Sequence, residues 1–343
     1  MSELRISKSA YLHNLAAIAK KAGGESRVMA VLKDNAYGHG ARIIAALANE
    51  FGLRRAVVRS LDEALEIAEF FEQILILSHI PDGNEPSEAG NCALVYGINE
   101  LDALNAIKAG SCVHLACDTL MHRNGLRFEE LERAYEIARK RGVSVLGAYT
   151  HYRSADEYSG EFDVQKNNFA RFKARVRELS VKFGTPAPVF HSHNSAATER
   201  AASEEGELVR VGMAQFGYAQ FDESLDLHRV ASLWADRVSH RVLTKGESVG
   251  YGGVFTASEE IAVATYDLGY GDGLLRYAGF GDLRLANGAK ILGKMSMDSF
   301  SCEDVGEKVC VFDDANVWAK FFGTINYDIL VKLSPRIKRT LID

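Results

Sequence analysis

From residue 28 to about 215, short apolar runs alternate with longer stretches of helical period, the pattern of βα units laid on a parallel sheet. Eight strand candidates can be counted, at 28–32, 55–59, 73–78, 93–97, 113–117, 144–149, 187–191 and 207–210. Eight such strands predict a closed (β/α)8 TIM barrel. The intervening helices carry start and stop signals. Ser60-Leu61-Asp62-Glu63 reads as a capping box ahead of Ala64-Leu65-Glu66-Ile67-Ala68, and Phe169, Phe172, Val176 and Leu179 form a core stripe that stops at Gly184. Past residue 225 the helical period fades. Asp236–Leu243 and Ile261–Tyr266 read instead as strands between glycine turns, a separate C-terminal mostly-β domain. The expected class is α/β plus β, with a barrel over 1–228, whose first few residues can join the β domain, and the β domain over 229–343.

Barrel enzymes keep their chemistry at the C-terminal ends of the strands. Lys33 follows strand one, Arg123 strand five, His151 strand six, Asn194 and Ser195 strand seven, and Arg210 with Gly212 strand eight, so all are expected on one rim. The loops after the last two strands most often bind phosphate through backbone N–H groups and small hydroxyls, which suits Ser195, Gly212 and Met213. A lysine at the mouth of an apolar strand can lose its charge by desolvation and become a nucleophile toward an aldehyde. The local run alone equally fits a lysine whose stem packs while its head reaches water. Spacing alone likewise fits a turn tyrosine at Tyr251 and a rim salt bridge at Arg210.

The run Ala30-Val31-Leu32-Lys33-Asp34-Asn35-Ala36-Tyr37-Gly38-His39-Gly40 resembles the cofactor-lysine motif of the alanine racemases, fold-type III enzymes that hold pyridoxal 5'-phosphate (PLP) as a Schiff base. The likeness recurs in order over nearly the whole chain. It runs through Asp118-Thr119-Leu120-Met121-His122-Arg123-Asn124-Gly125, Thr150-His151, His191-Ser192-His193-Asn194-Ser195-Ala196-Ala197 and Val209-Arg210-Val211-Gly212-Met213. Val249-Gly250-Tyr251-Gly252, Gly269-Tyr270-Gly271-Asp272-Gly273, Met297-Asp298 and Gly323-Thr324-Ile325-Asn326-Tyr327 follow.

The resemblance implies a two-base racemase. Lys33 and Tyr251 would serve opposite faces of the substrate, with His151 placed against the tyrosine and Asp298 in a supporting role. Arg210 would donate to the pyridine nitrogen of PLP. Because a guanidinium cannot accept a proton, that nitrogen would stay neutral and the electron sink weak, which favours return of the proton to Cα. Tyr37, Tyr327, Asn194, Ser195, Gly212 and Met213 would bind the cofactor. Arg123 and the backbone N–H of Met297 would take the substrate carboxylate, while Tyr270 would narrow the entrance. In the family Tyr251 and Tyr270 come from the partner subunit, so a head-to-tail homodimer with shared sites is implied. The expected product is D-alanine for peptidoglycan. One position departs from the pattern: where the family often has a carbamylated lysine steadying the substrate arginine, this chain has Ala116.

At 343 residues, with 47% hydrophobic and 25% charged positions, the chain has the make-up of an ordinary globular protein of two domains. Its formal charge of −6 argues against a nucleic-acid partner. Its longest apolar runs, such as 73–78, fall far short of the roughly 20 residues that cross a bilayer. The N-terminus lacks a basic stretch followed by an apolar one, so the cytoplasm is the expected compartment. Five cysteines without a C-x-x-C pair argue against a disulfide framework or a zinc site. Gly288-Ala289-Lys290-Ile291-Leu292-Gly293-Lys294-Met295 ends in methionine where a phosphate loop needs Ser or Thr, and no metal is expected. The alternatives are a racemase for serine or for several amino acids, and a non-catalytic PLP-binding protein. Retention of both Lys33 and Tyr251 argues against the carrier, and Arg210 argues against a decarboxylase, which would place a carboxylate there.

Overall fold

The computed structural model describes residues 1–222 and 224–343. Two compact units are present. One comprises Ala10–Ala36 and Ala41–His228; the other comprises Met1–Ser9, Tyr37–Gly40 and Arg229–Asp343.

The larger unit is a closed parallel barrel. Its strands are Val28–Val31, Arg55–Val58, Gln73–Ile76, Cys92–Ile98, Cys112–Ala116, Ser144–Tyr149, Val189–His193 and Leu208–Val211. Each pairs with the next, and the last returns to the first through Val209 opposite Val28 and Val211 opposite Ala30. The barrel expected from eight apolar runs is therefore formed, with one antiparallel addition, Glu88–Ala89, beside the fourth strand. Its strands are buried on both faces, which is why they read as unbroken apolar runs rather than alternating ones. The capping box is realised: Ser60 Oγ accepts from Glu63 N–H, and Glu63 Oε2 accepts from Ser60 N–H. Phe169, Phe172, Val176 and Leu179 all lie on the buried side of the helix Glu161–Phe183, which stops at Gly184 with φ +68°.

The smaller unit is built on a seven-stranded sheet. Its longest strand, Ala231–Leu243, pairs antiparallel with Glu3–Ser7, Ile261–Tyr266 and Lys308–Phe312. The chain's first strand thus joins this sheet, flanked on its other side by Lys338–Ile342 in parallel. No helix among the described residues is long and apolar enough to cross a membrane. All five cysteines are free thiols.

Candidate active site

Lys33 follows the first barrel strand and opens a turn of unusual hand. Asp34, Asn35 and Ala36 have φ of 53°, 54° and 51°, a left-handed helical conformation without a glycine. Each such residue costs about 1–2 kcal/mol, so the turn must be held from outside. Asp34 N–H donates to Glu63 Oε1 at 2.7 Å, Ala36 N–H to the carbonyl of Leu32 at 2.9 Å, and Ala41 N–H to Asn35 Oδ1 at 2.7 Å. Glu63 therefore caps its own helix with one carboxylate oxygen and fixes the lysine turn with the other.

Lys33 lines a cavity of about 350 Å³ at the strand ends, together with Arg59, Arg123, His151 and Arg210. Four cations line it, Lys33, Arg59, Arg123 and Arg210, against the single carboxylate of Asp118. Arg210 is the deepest; it is 5% exposed, and its hydrogen bonds go only to neutral acceptors. Nη1 donates to His191 Nδ1 at 2.8 Å and to the His191 carbonyl at 2.7 Å, and Nη2 donates to the Thr150 carbonyl at 2.7 Å. Because a guanidinium only donates, His191 Nδ1 must accept, which makes Nε2 the protonated nitrogen that faces His114 Nδ1 at 2.8 Å. The tautomers of both imidazoles are thereby assigned by the arginine. Tyr149 stacks on His191 with centroids 5.0 Å apart and lies under the Arg210 guanidinium.

This interior holds its histidines neutral. Burial first, then the charges of Arg210 and Arg55, push His114 down to about 4; burial, Lys166, Arg210 and Lys173 do the same to His193. Burial, and then Arg210, also holds His191 well below the usual imidazole range. The consequence for stability has a definite sign. The unfolded chain takes up these protons as pH falls through about 6.5, while the folded protein refuses them until about pH 4, so stability falls with pH across that window. His114 and His193 should each cost on the order of 2 kcal/mol between pH 7 and pH 5. Urea midpoints at the two pH values should show the drop, and His193→Gln should flatten it; equal slopes in the two proteins would contradict this account.

His151 stands at the cavity mouth with part of its ring exposed. Burial of the rest, then Arg210, Arg123 and Lys33, lowers its pKa, so it is neutral at neutral pH. Solvent at the exposed edge screens part of that effect without changing its direction.

Arg123 is exposed on a loop that Asp118 ties down. Asp118 Oδ1 accepts from the N–H groups of Leu120 and His122, and Oδ2 meets His122 Nδ1 at 2.8 Å. His122 is itself left-handed at φ 55°. Thr119 is anchored to Thr150 and Gln165, and Arg153 donates to the Leu120 carbonyl. Ala116 lines the same cavity and offers no anion to Arg123, while the loop itself is fixed by the hydrogen bonds of Asp118 and Thr119. If Arg123 takes the substrate carboxylate, as the resemblance implies, Asp118→Ala should raise the substrate KM by about tenfold with a smaller loss in kcat, because it loosens the loop that carries Arg123. Steady-state kinetics in both directions would read this, and an unchanged KM would remove Asp118 from that role.

At the ends of strands seven and eight, Ser195 Oγ accepts from Gly212 N–H at 3.0 Å and Ala214 N–H at 3.3 Å. Asn194 caps the helix Ser195–Arg200 through Ala197 N–H and donates to the Tyr152 carbonyl. Met213 is fully buried beside Gly212 in the turn Met213–Phe216. The small hydroxyl and backbone N–H groups expected of a phosphate loop are thus gathered at one place.

The remaining expected residues belong to the smaller unit. Tyr37 and Tyr327 meet edge to face at 5.7 Å. Tyr251 stands at the tip of the hairpin Ser248–Val249/Phe255–Thr256, with Gly250 and Gly252 beside it at φ 78° and 71°, and is 64% exposed. Tyr270 and Met297 are brought together because Tyr270 N–H bonds the Ser296 carbonyl and Gly271 N–H the Met297 carbonyl. A Cβ on Gly269 would lie 2.2 Å from the Met297 oxygen, so close backbone approach requires a glycine here. Asp298 follows, exposed, next to Gly271. Arg59 and the pair His114–His191 were not singled out from sequence. Arg59 ends a strand candidate on the same rim and was findable by that rule; the His114–His191 pairing requires the closed barrel.

A cavity lined by four cations and one carboxylate at the strand ends of a closed parallel barrel has the make-up of a barrel enzyme's site for small anionic groups. Comparison with known proteins narrows that class. The family model "Alanine racemase, N-terminal domain" matches residues 6–220, and "Alanine racemase, C-terminal domain" matches 230–341. The chain belongs to the alanine racemase family. It is 60% identical over 342 residues to an alanine racemase of Campylobacter curvus and 51% identical over 342 residues to one of Campylobacter jejuni, covering 100% of both chains in each case. Among solved structures, the alanine racemase of Bacillus anthracis with bound L-Ala-P superposes with a TM-score of 0.87 at 28% identity, covering 100% of this chain and 95% of that one. That of Streptomyces lavendulae gives 0.85 at 27% identity, covering 100% of this chain and 97% of that one.

Proposed function

We propose that the protein interconverts L-alanine and D-alanine with PLP held at Lys33, supplying D-alanine for peptidoglycan in the cytoplasm. The observation that carries this is Arg210: a buried guanidinium whose partners are all neutral, opening on the same cavity as Lys33. Such a cation fits a ring nitrogen that must stay unprotonated, and the cationic rim fits a phosphate and a carboxylate. When bound, PLP supplies the electron sink without which the Cα proton cannot leave.

The chain's own residues do the rest. Lys33 would hold the cofactor and would move the proton on one face of Cα. Tyr251 moves it on the other face, with the neutral imidazole of His151 as its hydrogen-bond partner and Asp298 supporting the arrangement. Arg123 takes the substrate carboxylate in a bidentate pair, joined by the Met297 N–H, and Tyr270 limits the entrance to small side chains. Ser195, Gly212, Met213, Asn194, Tyr37 and Tyr327 bind the cofactor. A head-to-tail homodimer that completes each site with the partner's Tyr251 and Tyr270 follows from the same reading.

Arg210→Glu should slow racemisation by about 10²-fold or more while raising abortive conversion of alanine to pyruvate, since a carboxylate stabilises a protonated ring nitrogen. A coupled lactate dehydrogenase assay detects the pyruvate; unchanged partitioning would separate Arg210 from the cofactor ring. The activity itself is tested by incubating the protein with individual L-amino acids and resolving the products by chiral chromatography. D-alanine should form fastest. D-serine or several D-isomers at comparable rates would establish the broader racemase, a reading that draws on the missing lysine at Ala116. Bound PLP with no D-isomer would establish a carrier.

A further inference from the structure

We propose that His13, Asp226 and His228 form a surface site for a divalent transition ion of the Zn²⁺ class, separate from the racemase cavity and independent of the racemase reading. One ring nitrogen of each histidine and a carboxylate oxygen of Asp226 all lie within 4.8 Å of one another, the one such cluster among the described residues. The two imidazoles are stacked, with centroids 4.0 Å apart and planes within 4° of parallel.

The cluster is held from below by the backbone. His13 sits on the helix Lys8–Ala22, and its neighbour Asn14, fully buried, grips His228 at two points. Asn14 Nδ2 donates to the His228 carbonyl at 2.8 Å, and Asn14 Oδ1 accepts from the His228 N–H at 2.8 Å. Asn14 Nδ2 also reaches the Gln215 carbonyl at 3.1 Å. Asp226 is turned toward the helix by a left-handed backbone, φ 49°, and its carbonyl lies 2.9 Å from His13 Nε2. One potential ligand on the first helix is therefore brought to the same spot as two that follow the eighth barrel strand, and the Asn14 bonds hold the main chain of His228 in place.

The donor set selects the ion. Two imidazoles and one carboxylate suit Zn²⁺, Co²⁺ or Ni²⁺, with water in the remaining position, and offer too few oxygens for Ca²⁺ or Mg²⁺. A tetrahedral ion with bonds of about 2.0–2.1 Å places donors roughly 3.3 Å apart, so closure needs side-chain movements of the order of an ångström. All three side chains are exposed and can make them. The bound ion would tie the first helix to the segment that follows the eighth barrel strand.

The test uses the full chain with its cofactor, stripped with chelator and desalted. ZnCl₂ is titrated in competition with a colorimetric zinc chelator, and CoCl₂ is followed by its visible absorption. Wild type should bind one ion with a Kd below about 100 μM that His13→Ala and His228→Ala each weaken by about tenfold or more, with Asp226→Asn weakening it less. The Co²⁺ bands should disappear in both histidine variants, whereas His240→Ala, which removes an exposed histidine elsewhere, should leave binding unchanged. Metal-free His13→Ala and His228→Ala should keep the circular dichroism and thermal midpoint of metal-free wild type, which reports an intact fold. Zinc binding unaltered by these substitutions, or absent from wild type in that concentration range, would overturn the proposal.

Discussion

Replacing Lys33 with alanine should abolish racemisation in both directions, a loss of at least about 10⁴-fold, because in the proposed mechanism a single amine both secures the cofactor and carries a proton. The fold should survive. Lys33 is only partly buried, and the left-handed turn behind it has hydrogen bonds of its own through Asp34, Asn35, Ala36 and Glu63. The thermal midpoint of the variant without cofactor should match that of wild type without cofactor. Borohydride reduction of wild type followed by proteolysis should leave the reduced cofactor on the peptide containing Lys33, and Lys33→Ala should retain none covalently. Recovery of the cofactor on another lysine would remove Lys33 from its place whatever the activity of the variant.

The barrel was legible because its strands are buried on both sides. Runs such as Val28–Val31 and Arg55–Val58 need no alternation, and the helical stripe ending at Gly184 announces the packing between them. From the strand ends the rim followed directly, and the structure brings Lys33, Arg123, His151 and Arg210 to one cavity. Tyr251 was legible only through the resemblance, since spacing alone fits a turn tyrosine; the structure puts it at a hairpin tip between glycines of positive φ. What escaped the sequence depends on closure or on strain. Nothing in Asp34-Asn35-Ala36 announces a left-handed turn, since its stabiliser Glu63 lies in another βα unit. His114 and His191 are distant in sequence, and only the closed barrel makes them a hydrogen-bonded pair under Arg210. The loop of Arg123 is similar. The resemblance flagged Ala116 as a missing anchor, but the Asp118 carboxylate gathering Leu120 and His122 is visible only once the chain folds back on itself.

Tyr251→Ala should show a directional defect that no merely structural residue would produce. With the lysine face intact, exchange of the Cα proton for solvent deuterium should persist from one isomer and collapse from the other. Tyr251 is proposed to act on L-alanine, so loss from that side should exceed loss from D-alanine by about 10²-fold or more. Deuterium incorporation measured by NMR from each isomer separately would read it, and equal losses would contradict the division of labour. The same variant tests where the tyrosine comes from. Lys33 lies in the barrel unit and Tyr251 in the β unit, which this reading presents to a neighbouring subunit. Inactive Lys33→Ala and Tyr251→Ala subunits, mixed equally and allowed to exchange, give half mixed dimers. In each mixed dimer one site collects both defects and the other collects both intact residues. Half of the dimers with half of their sites restored returns about a quarter of wild-type activity under two-fold symmetry. Demonstrated exchange without recovery would mean that each chain uses its own Tyr251.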